Sequence, residues 1–247
     1  MPLEIIAELH PQHGGQPGMI REMIRQAKIN GADVAKFQLY DAVALLKSDQ
    51  WKYLELTEAD TYQIKRWCDE EEIEFMASVF DHERLAWCEQ AGVARYKIAS
   101  RTVTTDPDLC KAILDKGKET IVSLGAWTEP GKPFAPSAQI KYLYCKAKYP
   151  AFLDDLADFP ADFPAQGLAG LSDHTLGLEV CLLAVARGAT VLEKHFTLDK
   201  TRGINTEKGH IASLTPVELG ELRRIGGALQ RTRQKLAQVT HAADSHA

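Results

Sequence analysis

The chain has 247 residues, 45% of them hydrophobic and 26% charged, with a formal net charge of −5 and a sequence pI near 5.9. That balance suits a soluble globular protein with a sizeable core, and it argues against a nucleic-acid or anionic-membrane partner. No apolar run reaches the length of a membrane span, and the opening MPLEIIAEL lacks the basic and apolar segments of a secretory signal. The five cysteines are odd in number and form no CxxC, as expected for reduced thiols in a cytoplasmic protein.

Glu4–Leu9 reads as a short first strand, followed by the polar loop His10-Pro-Gln-His13-Gly-Gly. Pro17 to Asn30 carries Met19, Ile20, Met23, Ile24 and Ala27 at helical spacing and has Gly31 past its end. Val34–Leu39 is the second strand. Thr57-Glu-Ala-Asp60 resembles a capping signal, with Asp in the fourth position, and opens a helix to about Glu72. Glu74–Phe80 is the third strand, His82–Ala91 a short helix and Arg95–Ser100 the fourth strand. Asp106 caps a helix that has Pro107 at its first position and runs to Lys116. Thr120–Leu124 is the fifth strand. Thr128–Ser137 is rich in Pro and Gly and reads as a loop, so the helix expected there is weak or missing. Ile140–Cys145 is the sixth strand, and Pro150–Gln166 is irregular with one helical turn at Leu153–Ala157.

LAGLS then ends in Ser172-Asp173-His174, an apolar helix stops at Gly188, and TVLEKHF gives the eighth strand. A final helix runs from Pro216 to about Leu236, and residues 237–247 read as a frayed tail. Eight short apolar strands alternating with helices or loops predict a single α/β domain, a (β/α)8 TIM barrel over residues 1–236. No GxGxxG or GxxxxGK[ST] opens any helix, which weighs against dinucleotide and P-loop folds.

In a barrel the chemistry sits at the C-terminal strand ends. Those ends carry Glu8, Lys36, Gln38, Ser78, Lys97, Ser100, Ser123, Lys146, Lys148, Tyr149, Ser172, Asp173, His174, Glu193 and His195. His174 and His195 lie at matching ends of neighbouring parallel strands, flanked by Asp173 and Glu193, and suit a divalent metal with open positions. Either histidine alone is better explained by local hydrogen bonds; the pair at matching strand ends favours the metal. Lys36 and Lys97 with four serines make an anion site. Each lysine could instead be a structural partner of Glu8 or Glu193. Lys194 alternates with Glu193 and His195, so it should face the helices. Asp173 is left between a carboxylate supporting the metal site and a helix cap.

The segments AEL…QHGG, KFQ, KIAS, SDHTLG and EKHFTLD, in that order and spacing from Glu4 to Glu218, closely resemble the N-acetylneuraminate (sialic acid) synthase family. That family condenses phosphoenolpyruvate with an aldose, usually an N-acetylated amino sugar, to give a 3-deoxy-2-ketoacid and phosphate. The resemblance implies that His174 and His195 bind Mn2+ or Mg2+, with His195 also catalytic, and that Lys36 and Lys97 hold phosphoenolpyruvate. It further implies that Ser78, Ser100, Ser123 and Ser172 surround the phosphate and carboxylate, that Glu8 is the acid near the aldehyde, and that Gln38 and Tyr149 contact the sugar.

Several positions depart from the family pattern. Arg101-Thr102 stands for the usual Gly-Glu, Ala147 for an Asn, Gly209 for the Asp before His210, and His10-Pro-Gln-His-Gly-Gly for GxNHNG. The family's C-terminal antifreeze-like domain is expected to be absent, so the implied homodimer would lack its interlocking module unless a separate partner chain supplied it. The expected reaction is therefore metal-dependent condensation of phosphoenolpyruvate with a sugar or other small aldehyde. The alternatives are a Schiff-base aldolase using Lys97 or Lys36, and a non-catalytic barrel that binds a phospho-metabolite.

Overall fold

The computed structural model describes residues 2–202 and 211–244. Its centre is a closed barrel of eight strands in sequential order, each parallel to both neighbours. They are β1 (Glu4–Glu8), β2 (Val34–Leu39), β3 (Glu74–Val79), β4 (Tyr96–Ile98), β5 (Thr120–Ser123), β6 (Ile140–Cys145), β7 (Gly170–Asp173) and β8 (Val191–His195). The helices are α1 (Pro17–Ile29), α2 (Ala42–Leu46), α3 (Glu58–Glu70), α4 (His82–Gln90), α5 (Ser100–Thr105), α6 (Pro107–Leu114), α7 (Glu179–Ala186) and α8 (Pro216–Asp244).

The expected barrel is thus present, and its strands read as near-continuous apolar runs because both faces are buried. Residues alternate between two cores. Ile6, Val34, Met76, Ile121, Leu143 and Val191 fill the lumen. The opposite faces, with Ile5, Ala35, Phe37, Phe75, Tyr96, Val122, Leu171 and Leu192, pack under the helices. Gly170 is needed where β7 meets β8, since a Cβ there would lie 1.7 Å from the Val191 carbonyl oxygen.

Local signals account for several boundaries. Thr57 and Asp60 form a reciprocal capping box on α3. The Asp106 side chain accepts from Leu109 N at 2.9 Å to start α6. No α-helix follows β5 or β6; two 3-10 turns at Leu153–Leu156 and Pro164–Gln166 stand in the second gap. At the N-terminal mouth Arg95 donates to Glu74 at 2.7 and 2.9 Å, to Glu119 at 2.8 Å and also to Glu4. Lys141 pairs with Glu119 at 2.8 Å, so strands β1, β3 and β5 and their flanks are tied across the barrel floor.

The structure differs from the sequence reading in three places. β4 ends at Ile98, and Ser100 begins α5. Thr102 to Thr105 favour strand, but the Thr104 and Thr105 hydroxyls donate to the Arg101 carbonyl at 2.9 and 3.0 Å and close a helical turn. α2 lies in a stretch without a clear period and is capped by Asp41, which accepts from Ala44 N at 2.8 Å. α8 continues past Leu236 to Asp244, through a stretch free of Gly and Pro; it is helix where a frayed tail was expected.

Candidate active site

The C-terminal strand ends open into one cavity of about 1120 Å3, large enough for two small substrates. Its lining contains Glu8, Lys36, Gln38, Ser78, Lys97, Ser100, Ser123, Lys148, Tyr149, Ser172, Glu193, His174 and His195, but not Lys146 or Asp173. The register explains why. Glu8 pairs with both Lys36 and His195 across the barrel wall, and Ser172 with Glu193. Residues at the same level and on the same face therefore meet in the lumen, directly above the apolar plug.

The cup is a balanced set of buried ions. Lys36 donates to Glu8, and its Nζ lies 3.7 Å from Glu193. Lys97 lies 3.6 Å from the other oxygen of Glu193. Both lysines are 2% exposed, so a buried carboxylate partner is what burial demands. The carboxylate pairing allowed by the sequence is therefore real for both lysines, and it coexists with their place in the cavity.

Burial alone would raise the Glu193 carboxyl, but Lys36 and Lys97, helped by the two histidines, hold it down to about 2. Burial raises the Glu8 carboxyl, against the pull of Lys36. Burial lowers Lys97, with Glu193 opposing. The two carboxyls thus diverge, the separation expected of an acid and a base in one site.

Three buried polar atoms in the cup have no hydrogen-bond partner among the described residues: Ser123 Oγ, Glu193 Oε2 and His195 Nδ1. Such atoms are costly unless something binds them. Other groups are anchored. Ser172 Oγ donates to Glu193 at 3.2 Å. Ser78 Oγ accepts from Lys36 at 3.3 Å, and Ser100 Oγ accepts from Gly125 N at 3.0 Å. Gly125 is required there, because a Cβ would meet Cys145 Sγ at 2.8 Å and Ser100 Oγ at 3.0 Å.

The two imidazoles stand 5.8 Å apart between ring centroids, and Tyr149 stacks on His174 at 4.0 Å. His174 Nδ1 donates to the Lys146 carbonyl at 2.7 Å, which fixes the orientation of the ring and places a proton on Nδ1. Burial, then His174 and Lys36, drive His195 down to about 3, so it is neutral at neutral pH. Among the described residues no cluster of three or more His, Cys, Asp or Glu side chains is gathered for a metal. The chain offers two imidazoles and leaves other positions to water and substrate, a donor set that fits a divalent cation.

Asp173 does not contribute. It is turned outward, bound to Lys194 at 2.5 Å and to Thr175 N and Oγ1 at 2.9 and 2.8 Å. It is neither a helix cap nor a support for His174. Lys194 faces the helix layer, as the alternation required.

His10, Tyr40, Arg101 and Cys145 also line the cavity; the sequence marked His10 and Arg101 only as departures from the family pattern, and Tyr40 and Cys145 not as site residues. Lys36, Gln38 and Tyr40 follow one period-two face, a signal that could have found Tyr40. Gly209 and His210 lie outside the described residues.

A model of the NeuB family matches residues 23–237. The N,N'-diacetyllegionaminic acid synthase of Legionella pneumophila is 32% identical over a 255-residue alignment that takes in 88% of this chain and 69% of that protein. The human N-acetylneuraminate-9-phosphate synthase is 31% identical, with 90% of this chain and 69% of that protein covered. The crystal structure of N-acetylneuraminic acid synthetase from Leptospira borgpetersenii serovar Hardjo-bovis, in complex with citrate, superposes with a TM-score of 0.82 at 28% identity over 94% of this chain and 85% of that one.

Proposed function

The chain belongs to the NeuB family, a family of sialic-acid-type synthases, and from that membership we propose that it condenses phosphoenolpyruvate with an aldose or related aldehyde to a 3-deoxy-2-ketoacid and inorganic phosphate. The observation that carries this reading is the trio of buried atoms that make no hydrogen bond among the described residues, Ser123 Oγ, Glu193 Oε2 and His195 Nδ1, around two lysines in one cup.

Lys36, Lys97 and the serines hold the phosphate and carboxylate of phosphoenolpyruvate. Its C3 attacks the aldehyde carbon, forming the new C–C bond. The aldehyde oxygen takes a proton by way of Glu8, whose carboxyl burial raises against the pull of Lys36, as it becomes a hydroxyl. Water adds to the cationic C2, and Glu193, held as a carboxylate, takes a proton from it. The tetrahedral carbon then loses phosphate by C–O cleavage. His174 and His195 would hold a divalent cation, which supplies Lewis-acid polarisation of the acceptor carbonyl.

The test is phosphate release from phosphoenolpyruvate labelled with 18O at the bridging position, with Mn2+ or Mg2+ and a panel of hexoses and N-acetylated hexosamines. The label should leave in the phosphate, and EDTA should abolish turnover. Normal binding of phosphoenolpyruvate with no phosphate released from any aldose would sink the reading. The lowered Lys97 ammonium also favours a second reading, imine formation by that lysine. It predicts covalent trapping by borohydride and indifference to EDTA.

A further inference from the structure

The β1–α1 loop holds a hydrogen-bond relay that the reaction above does not use. Glu8 and His10 climb one face of β1 and its extension, and Lys36, Gln38 and Tyr40 climb the facing column on β2. Glu8 and Lys36 are in register. His10 and Tyr40 therefore meet two residues above that ion pair, and both line the cavity.

The direction of the relay is fixed at its start. The Gly15 N–H donates to His13 Nδ1 at 3.0 Å, and a backbone N–H can only donate. Burial lowers His13 to about 4 and lowers His10 well below its ordinary value, so both rings are neutral. The proton of His13 is then on Nε2 and is given to His10 Nδ1 at 2.9 Å. The proton of His10 is on Nε2 and is given to the Tyr40 oxygen at 2.8 Å. Tyr40 is thus held as an acceptor from His10, and its own O–H must donate.

Nothing among the described residues receives that proton. The nearby Glu55 takes the Ala42 N–H, and Glu8 takes the His10 N–H and Lys36. Tyr40 is 4% exposed, with its ring set edge-on to His10 and Phe80. Leu45, Leu46 and Trp51 line the same end of the cavity. A lone oriented donor beside apolar carbon calls for an acceptor oxygen from a ligand.

We infer that Tyr40 is a specificity-determining residue for the acceptor aldose, donating a hydrogen bond to one of its oxygens, and that His10 and His13 are positioning residues that fix the direction of that donor. The inference rests on the proposed condensation, with the aldose seated on the β1–β2 side of the cup. A site built around a donor rejects ligands that lack the matching oxygen, because the donor is then left buried and unpaired.

The test uses the full chain with Mn2+, phosphoenolpyruvate and N-acetyl-D-mannosamine or D-mannose as probe aldoses. Tyr40→Phe removes one oxygen, and thermal melting confirms that the variant folds. Its KM for the aldose should rise tenfold or more, while KM for phosphoenolpyruvate holds within twofold. His10→Phe keeps a ring but breaks the relay and should shift the same constant in the same direction. The double variant should be no worse than Tyr40→Phe alone, a non-additivity that separate structural defects would not give. An unchanged aldose KM in Tyr40→Phe, or an equal rise in both KM values, overturns the inference. Should the wild-type chain release no phosphate, the reaction falls, and calorimetric titration of the same aldoses into phosphoenolpyruvate-loaded protein decides Tyr40 separately. Weaker binding to Tyr40→Phe than to wild type supports its role; equal binding, or none to wild type, rejects it.

Discussion

Two kinds of buried polar residue share the cup, and they should respond to substitution in opposite ways. Lys36 and Glu8 are 2% exposed and satisfy each other. Lys36→Met leaves Glu8 without its cation, so it should cost about 3–5 kcal/mol in chemical denaturation. Adding Glu8→Leu should recover most of that stability, and neither variant should release phosphate. A stable but inactive double variant would separate the fold role of the pair from its chemical one.

Ser123 has no partner to lose. Ser123→Ala should leave the free protein within about 0.5 kcal/mol of wild type. It should weaken phosphoenolpyruvate binding by roughly tenfold or more, the worth of a hydrogen bond to a charged group. Calorimetry showing full affinity in Ser123→Ala would remove that hydroxyl from the anion site.

At the level of elements, the barrel floor is clamped by charge where the lumen is clamped by apolar packing. Glu119 sits between Lys141 and Arg95. Burial tends to raise its carboxyl, but hydrogen bonds from those two cations outweigh it and hold it below the usual range. A carboxyl depressed in the folded state adds stability that is complete above its unfolded value, about 4.5, and is lost as pH falls through the folded value. Glu119→Gln should therefore flatten the fall of Tm below about pH 4.5. Superimposable melting curves for wild type and variant across that range would show that the floor clamp carries no acid-labile stability.

For the whole molecule, six strands supply the lumen plug: β1, β2, β3, β5, β6 and β8. A cavity made there touches most of the barrel at once. Leu143→Ala should cost about 2–5 kcal/mol, with tertiary and secondary signals lost in one transition as in wild type. Separate transitions by fluorescence and far-ultraviolet dichroism would mean that the barrel does not fold as one unit. Phosphoenolpyruvate affinity should fall less than stability, because Ser123 and Cys145 stand one alternation above the plug rather than in it.

The sequence by itself determined the repeat of apolar strands, the Thr57 capping box, the Pro107 helix start and the polar residues at the strand ends. Each of these is a local period or a local hydrogen bond. Alternation along β8 was enough to send Lys194 outward and His195 inward. The tertiary structure decided what lies between strands far apart in the chain. It closed the sheet, so that Glu193 faces both Lys36 and Lys97, and it set Arg95 against carboxylates from β1 and β3. It also turned Asp173 away from His174 and placed His10 against Tyr40. The reason is physical: a residue's period fixes the face it occupies, but its partner across the lumen depends on strand order, register and closure, which no local window contains.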